Sequence, residues 1–453
     1  MSYGRVLLTL ILVSPMLVCA QEVELLQSEQ GSGLGLHHKL TAQVGYGPGV
    51  NPIGGDETDF SVLRYAPALS WFGSDQTWPE WEVYSRIWLS YSSNGASNPV
   101  FEGEQSTPEG ESAEWRDFYV RRNRLFGQQG LTLTLGRQRF SSELGLWWDT
   151  SIESMNLSWQ GEKGQGFVAF GSRFDTYNTE LKELDPREES IVYLLSEYAY
   201  EFSALQKVGV RFMVENDESD PWQEDDRFDI DAYRAGLFLS GRDLLNSVIS
   251  DYHLEFVGLA GDVSELAPSG DNENYDMNGW AFAGEVGKDF RTVAWSPRVA
   301  FRVGATDKST GEGDGFYLNA IQTDRINVEG TYSSAMTGSF VALTMSNALF
   351  YGVRLELEPR VRQRLDVMVS DVYCHSRDGQ LPITRTRTTD SCDERSVGQM
   401  VDLNYVWDMY PTVVSARRLD WRVMFNLGYF NAGSAIKPRD SEGQVLLSTE
   451  ISF

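Results

Sequence analysis

The residues with the clearest chemistry are full charges that recur at every second position of otherwise apolar runs. Arg354 and Glu356 alternate with Leu349, Tyr351, Val353, Leu355 and Leu357. Arg364 and Asp366 alternate with Leu365, Val367 and Val369, and Arg418, Asp420 and Arg422 alternate with Leu419, Trp421, Val423 and Phe425. Lys39 and Arg64 take the equivalent place in two earlier runs. Successive side chains of an extended strand point to opposite faces, so each run has one apolar face and one charged face. Arginine is always ionised and offers a fork of donors matched to carboxylates. Such a surface could pass an anionic cargo along a pore, or it could brace a wall through Arg–carboxylate pairs. The pattern alone serves both.

Catalysis has no comparable footing. His37, His38, His253 and His375 are too scattered for an HExxH or zinc-finger arrangement, and no GxSxG elbow or P-loop is present. Gly31-x-Gly33-x-Gly35 lacks a strand–helix context and reads as the end of a polar lead-in. The acidic stretches 217–226 and 271–276 offer carboxylates suited to Ca²⁺ but not the regular spacing of a calcium loop, so solvated loops are the better reading. No enzyme, no cofactor and no metal is expected. The balance of 65 acidic to 38 basic residues disfavours nucleic acid as a partner. Cys374 and Cys392, 18 positions apart in a polar segment, could close a loop in an oxidising compartment or remain free thiols.

The elements that position these charges are strands. Residues 1–20 read as a secretory signal, with Arg5 ahead of an apolar core and Ala20 before the cut, which leaves 21–453 as one domain. No other apolar run is long enough to span a membrane as a helix. A mean hydropathy of −0.33 does not count against a membrane barrel, whose strands need only one apolar face. Alternating runs start near Leu36, and more lie along the chain to its end, including 318–329 and 340–357, for about eighteen or nineteen strands in all. Short polar turns such as 127–130, 204–207 and 358–363 alternate with long polar connections such as 95–114, 175–189 and 374–397. That asymmetry, with a terminal Phe453 on the apolar parity of the last run, predicts an all-β fold: a transmembrane antiparallel β-barrel with short periplasmic turns and long extracellular loops in the bacterial outer membrane.

Leu131–Trp159 is the most distinctive stretch, LTLTLGRQRFSSELGLWWDTSIESMNLSW. It reads as a strand, a charged corner and a returning strand, with Trp147 and Trp148 either at an interface or bracing the loop. The GRQR run, the Trp-Asp-Thr corner and the following IES-x-N strand resemble the signature of the alginate export porins, outer-membrane barrels of eighteen strands that release an acidic exopolysaccharide. LGLHHKLT, WRDFYV, FDTYNTELKELDP and the final strand extend the resemblance, which thins in the long loops.

The resemblance implies roles for particular residues. The family's selectivity arginines match Arg64, Arg116, Arg139 and Arg325, and its lysine matches Lys39. Its acidic partners match Asp117, Asp149 and Glu180, and its lumenal asparagine matches Asn156. Arg116 and Asp117 are adjacent and cannot both face inward in a regular strand, which implies a bulge or a rim position. Arg139 shares the parity of the leucines, which places it beyond the membrane band or in a kink. Ser334 stands where the family has a further arginine. Another family arginine aligns with Met424, one inward position from Arg422.

The expected function is a passive pore for an acidic, uronate-type exopolysaccharide such as alginate. Its anion-selective constriction would be formed by these residues, together with the inward Arg354 and Arg422. The alternatives are a porin for other anionic sugars, including uptake, and a non-transporting adhesin or scaffold barrel. The partners expected are the polysaccharide and outer-membrane lipid, with periplasmic export partners left open.

Overall fold

A computed structural model describes residues 33–453 except 49–56, 74–78, 94–95, 98–105, 108, 182, 185–187, 220–227, 246, 267–271, 309–314, 329–331, 339, 384–390, 410, 415–416 and 438–440. The signal segment, the lead-in to residue 32 and residues 220–226 of the first acidic stretch lie outside the described residues, whereas residues 272–276 of the second are paired in a strand. The wall is a closed antiparallel sheet of 18 strands. In chain order these are β1 (Gly33–His37 and Lys39–Gly47), β2 (Thr58–Tyr65 and Ala68–Gly73), β3 (Trp81–Ser92), β4 (Gly110–Arg122), β5 (Leu131–Ser141) and β6 (Asp149–Gln160). They continue with β7 (Gly164–Ser172), β8 (Ile191–Ser203), β9 (Gln206–Asp217), β10 (Phe228–Leu244), β11 (Ile249–Leu266) and β12 (Asn272–Asp289). The last are β13 (Arg298–Thr306), β14 (Ala348–Leu357), β15 (Gln363–Cys374), β16 (Ser396–Asp408), β17 (Arg417–Ala432) and β18 (Ser441–Ser452). Each pairs with its chain neighbour, and β18 pairs with β1 from Lys39↔Ser452 to Tyr46↔Val445, which removes every open edge from the ring. Phe453 adds to the closure: its backbone exchanges hydrogen bonds with His38 and its ring stacks on the imidazole at 4.8 Å.

The parity expected from the sequence is the parity of the wall. Tyr351 and Val353 are exposed outward while Phe350 and Arg354 are buried inward; Phe425 and Leu427 are exposed while Met424 and Asn426 are buried. An outer surface of this composition is stable against hydrocarbon and costly against water. The turns 161–163, 204–205, 245–248 and 358–362 lie at one rim, and the connections 93–109, 173–190, 307–347 and 375–395 lie at the other. Gly33 and Gly35, expected in a linker, are paired in β1. Cys374 and Cys392 are joined as a disulfide that closes most of the 375–395 connection.

The interior corrects one expected strand. Residues 318–329 do not enter the wall. Among the described residues, the connection between β13 and β14 folds into the barrel, where Arg325–Val328 and Tyr332–Ala335 form a short hairpin of their own. Its apolar side chains, among them Phe316, Ile321, Met336, Val341 and Leu343, are almost fully buried against inward residues such as Met277, Ala281, Met400 and Phe430. Period-two alternation reports only that a segment is sided. Here the apolar side is covered by the lumen wall instead of lipid.

A second inward feature is the end of the β5–β6 hairpin. β5 pairs with β4 only from Leu133↔Arg122 to Arg137↔Phe118, and then leaves the wall. It turns at Gly136, whose φ of +120° is open to glycine and hostile to other residues, and where a Cβ would stand 2.4 Å from the Phe118 carbonyl oxygen. Beyond it both parities are covered: Arg137 and Gln138 are buried together, and so are Ser151, Ile152, Glu153 and Ser154 of β6. The upper edge of β4 is paired instead by residues 177–179, with Trp115 N donating to Tyr177 O and Thr179 N to Ala113 O.

Candidate functional site

The inward hairpin end and the 307–347 segment meet and hold each other. Asp149 N donates to Ile321 O at 2.7 Å, and Thr323 N to Gly145 O at 3.1 Å. Gln322 Nε2 also donates to Leu146 O. Gly145 is in the left-handed region, and a Cβ there would lie 2.6 Å from Thr323 O, so the close approach requires glycine. Trp147 and Trp148 are fully buried at the base of this contact, with Trp148 edge-on to Phe167; they brace the loop and do not sit at a membrane interface.

Most of the arginines singled out by sequence converge here. Arg64 of β2 and Arg116 of β4 both stack on Trp88 of the intervening β3, with guanidinium carbons 4.0 and 4.5 Å from the indole. Arg116 is the extra residue of a bulge: Arg86 opposes Asp117, while the next residue, Ile87, opposes Trp115. The bulge lets Arg116 and Asp117 both turn inward, 4% and 3% exposed, with Trp115 left outside. Arg116 donates to Glu114 Oε1 at 2.8 Å. Asp117 accepts from Arg86 Nε at 2.7 Å and from Ser151 Oγ at 3.0 Å. Ser151 opposes Arg139, which donates to Asp149 Oδ1 at 2.6 Å, and Thr323 Oγ1 donates to the other oxygen of Asp149. The bend at Gly136 is what lets Arg139 break the alternation.

Arg325 completes the cluster from the inner segment. It lies in the field of Asp149, Asp324, Arg139 and Arg116, makes no ion pair among the described residues, and its Nη1 is buried with no hydrogen-bond partner. Burial foremost lowers its pKa, with Arg139 and Arg116 acting in the same sense against Asp149 and Asp324. Asp324 beside it is fully buried, and its carboxyl is pushed up to about 7, mainly by that burial. Its Oδ2 accepts from Leu343 N at 2.6 Å, which ties the two arms of the inner segment together.

Other expected residues lie elsewhere. Lys39 pairs with Glu450 at 2.8 Å and Arg422 donates to Asp408 at 2.6 Å, both toward the short-turn rim. Arg418, expected on the lining, is exposed at that rim with Asp420. Asn156 donates to Gln138 Oε1 at 3.0 Å below the hairpin bend. Glu180 is exposed on the 173–190 connection and makes no ion pair among the described residues, so the structure does not bring it to the arginines. Ser334 is buried opposite Ile326, next to Arg325.

Arg354 belongs to a separate arginine–carboxylate ladder, in which its Nε donates to Asp366 at 2.8 Å and Nη1 reaches Glu356 at 3.2 Å. In the same ladder Arg298 engages Asp251, Glu285 and Glu356, and Arg302 engages Glu285. Arg211 engages Glu143, Glu197 and Glu255, and Arg234 engages Glu215. Reading by sequence missed Arg86, Trp88 and Asp324. The first two share the inward parity of Trp81–Ser92 and were within reach of that argument; Asp324 was hidden in the misassigned strand.

A family model described as alginate export matches residues 69–444. The chain belongs to the alginate export family. The alginate production protein AlgE of Pseudomonas aeruginosa is 25% identical over 237 residues, 48% of this chain and 48% of that protein. AlgE of Pseudomonas syringae pv. tomato is 24% identical over 262 residues, 53% of this chain and 51% of its own length. The aligned part thus spans about half the length of these curated relatives. The crystal structure of Pseudomonas aeruginosa OccD3 (OpdP) shares the fold, with a TM-score of 0.53 at 10% identity over 97% of both chains. For this member of the alginate export family, the barrel and the family together place the chain in the bacterial outer membrane, with the short turns periplasmic and the long loops extracellular.

Proposed function

We propose that this protein is a passive outer-membrane channel, not an enzyme, that releases an acidic exopolysaccharide of the uronate type such as alginate. Its constriction is the arginine cluster set between the inward hairpin end and the 307–347 segment. The observation that carries the reading is Arg325: a buried guanidinium that makes no ion pair among the described residues and stands beside Arg139 and Arg116 at the meeting of the hairpin end and the inner segment. A guanidinium left without an ion-pair partner in a narrow, low-dielectric lumen attracts carboxylates strongly. The neighbouring Asp117 and Asp149 keep that attraction weak enough for release, as conduction requires.

The test is conductance in planar bilayers with and without oligouronates. The reading expects preference for chloride over potassium and reversible block by oligouronates from the periplasmic side. Cation preference without block would sink it. Polysaccharide synthase genes beside this one would favour export, and lyase genes would favour uptake of anionic sugars through the same constriction.

A further inference from the structure

Below the arginine cluster, toward the periplasmic turns, two tyrosines face the lumen. Tyr84 of β3 and Tyr119 of β4 are direct cross-strand partners, with ring centroids 5.2 Å apart and planes 26° apart. Tyr84 shares its parity with Glu82, Arg86 and Trp88, while Trp81, Val83 and Ile87 are exposed on the lipid side. Past the bulge, Tyr119 follows Asp117 inward while Val120 is exposed outward. Both rings are partly exposed. Tyrosines of membrane barrels ordinarily gather in the outward girdles; these stand on the opposite face.

The neighbours give the pair a direction. Arg121, one inward step closer to the periplasmic turn, lies 4.9 Å over the Tyr119 ring and donates to Glu82 at 3.0 Å. Arg86 and Asp117 stand one inward step the other way, and Arg116 on Trp88 follows. Inward steps along a strand are about 7 Å. A chain entering from the periplasm therefore meets a guanidinium, an aromatic platform and then the cluster of guanidiniums. A pyranose ring presents a C–H face that packs on an aromatic ring, while its carboxylate projects from the edge toward a donor such as Arg121 or Arg86.

We propose that Tyr84 and Tyr119 form a sugar-stacking subsite for the pyranose rings of a uronate chain, on the periplasmic side of the constriction. The subsite rests on the reading of the protein as a uronate channel. It recognises the ring face, whereas the arginines recognise the charge, so small anions such as chloride make no use of it.

The test is single-channel recording on the full-length protein with a short oligouronate of one defined length added on the periplasmic side. Tyr84→Ala combined with Tyr119→Ala is expected to shorten the residence of the blocking sugar about fivefold. Tyr84→Phe combined with Tyr119→Phe keeps the ring faces and stays within about twofold of wild type. The chloride-to-potassium preference stays at the wild-type value in both. Unchanged residence in the alanine variant, equal loss in the phenylalanine variant, or a parallel shift in ion preference overturns the subsite. A wild-type channel that no oligouronate blocks overturns the uronate reading itself, and the subsite with it.

Discussion

On the wall formed by β9 to β15, Arg211 donates to Glu143, Glu197 and Glu255 at 2.5 to 2.6 Å, and Arg298 engages Asp251, Glu285 and Glu356 in the same way. On the side of β2 to β6, Arg64 and Arg116 lean on the Trp88 indole, and Arg325 of the inner segment makes no ion pair among the described residues. Both sets are inward arginines, and both come from alternating or sided sequence. They differ in how many carboxylates reach them. In the ladder the carboxylates outnumber the arginines, so the charges are spent on holding the wall. Arg325 makes no ion pair among the described residues, and the proposed constriction rests on that imbalance. Arginine on a lumen face is therefore not evidence of selectivity by itself; what counts is whether its neighbours neutralise it.

The difference is sharpest in stability. Arg211→Ala takes the guanidinium from Glu255, which is 1% exposed and keeps His253 Nε2 at 2.6 Å, and removes the partner that Glu143 and Glu197 share. Breaking one side of a buried charged network typically costs about 3–5 kcal/mol. Arg325→Ala removes a buried group that is itself poorly satisfied, and should cost less than about 1 kcal/mol. Denaturant unfolding of the two variants in the same detergent measures this, and equal destabilisation would erase the distinction between the two sides.

Gly136→Ala attacks the geometry that sets the proposed constriction. The added Cβ meets the Phe118 carbonyl oxygen, and φ of +120° is unsuited to alanine. The expected cost is about 1–3 kcal/mol, with the inward end of the hairpin displaced. Anion preference should fall in the same variant, because the hairpin carries Arg139 and Asp149 to Arg325. A destabilised channel with unchanged ion preference would mean that the hairpin does not form the constriction.

Function should show the reverse ranking. Arg64→Ala together with Arg325→Ala is expected to lower the chloride-to-potassium preference about fivefold, equivalent to roughly 1 kcal/mol. Arg298→Met should leave that preference near wild type in whatever fraction of the channels still fold. Reversal potentials in a salt gradient read both. If the ladder variant shifted selectivity as much as the pair, the lumen would act as one averaged field.

Much of this architecture was legible in the chain because the wall obeys a rule with one variable. Leu349–Leu357 and Leu419–Tyr429 alternate, lipid covers one face, and the parity of Arg354 and Arg422 follows. The Arg116–Asp117 pair was also informative, since two adjacent inward charges demand an extra residue in the strand. The rule stopped where protein, not lipid, covers the apolar side. Residues 318–329 carry a sided pattern that a wall strand and an inner plug satisfy equally, and no local signal separates them. Arg139 was readable as an exception to parity, but its cause required knowing that Gly136 takes a positive φ. Glu180 shows the opposite limit: it lies in a matching motif, yet its side chain is on an exposed connection.

The smallest expected effect concerns Asp324, which belongs to neither side's pairing scheme. Its carboxyl titrates near 7, against an ordinary 3.8, chiefly because it is fully buried, and Arg325 offsets only part of that. A raised carboxyl favours the folded form most at low pH. That contribution is complete below about pH 3.8, declines as pH rises toward 7, and is absent above it. Ionisation also places a negative charge beside Arg325 and Asp149. The positive excess of the cluster should therefore shrink as pH rises through 7, and the preference for anions should weaken, by about twofold between pH 6 and pH 8. Asp324→Asn keeps the carbonyl that accepts from Leu343 N but cannot ionise, so its preference should stay flat across that range. Reversal potentials at the two pH values, wild type against variant, decide it. A flat wild type would mean that Asp324 stays neutral throughout, and that the imbalance around Arg325 does not depend on pH.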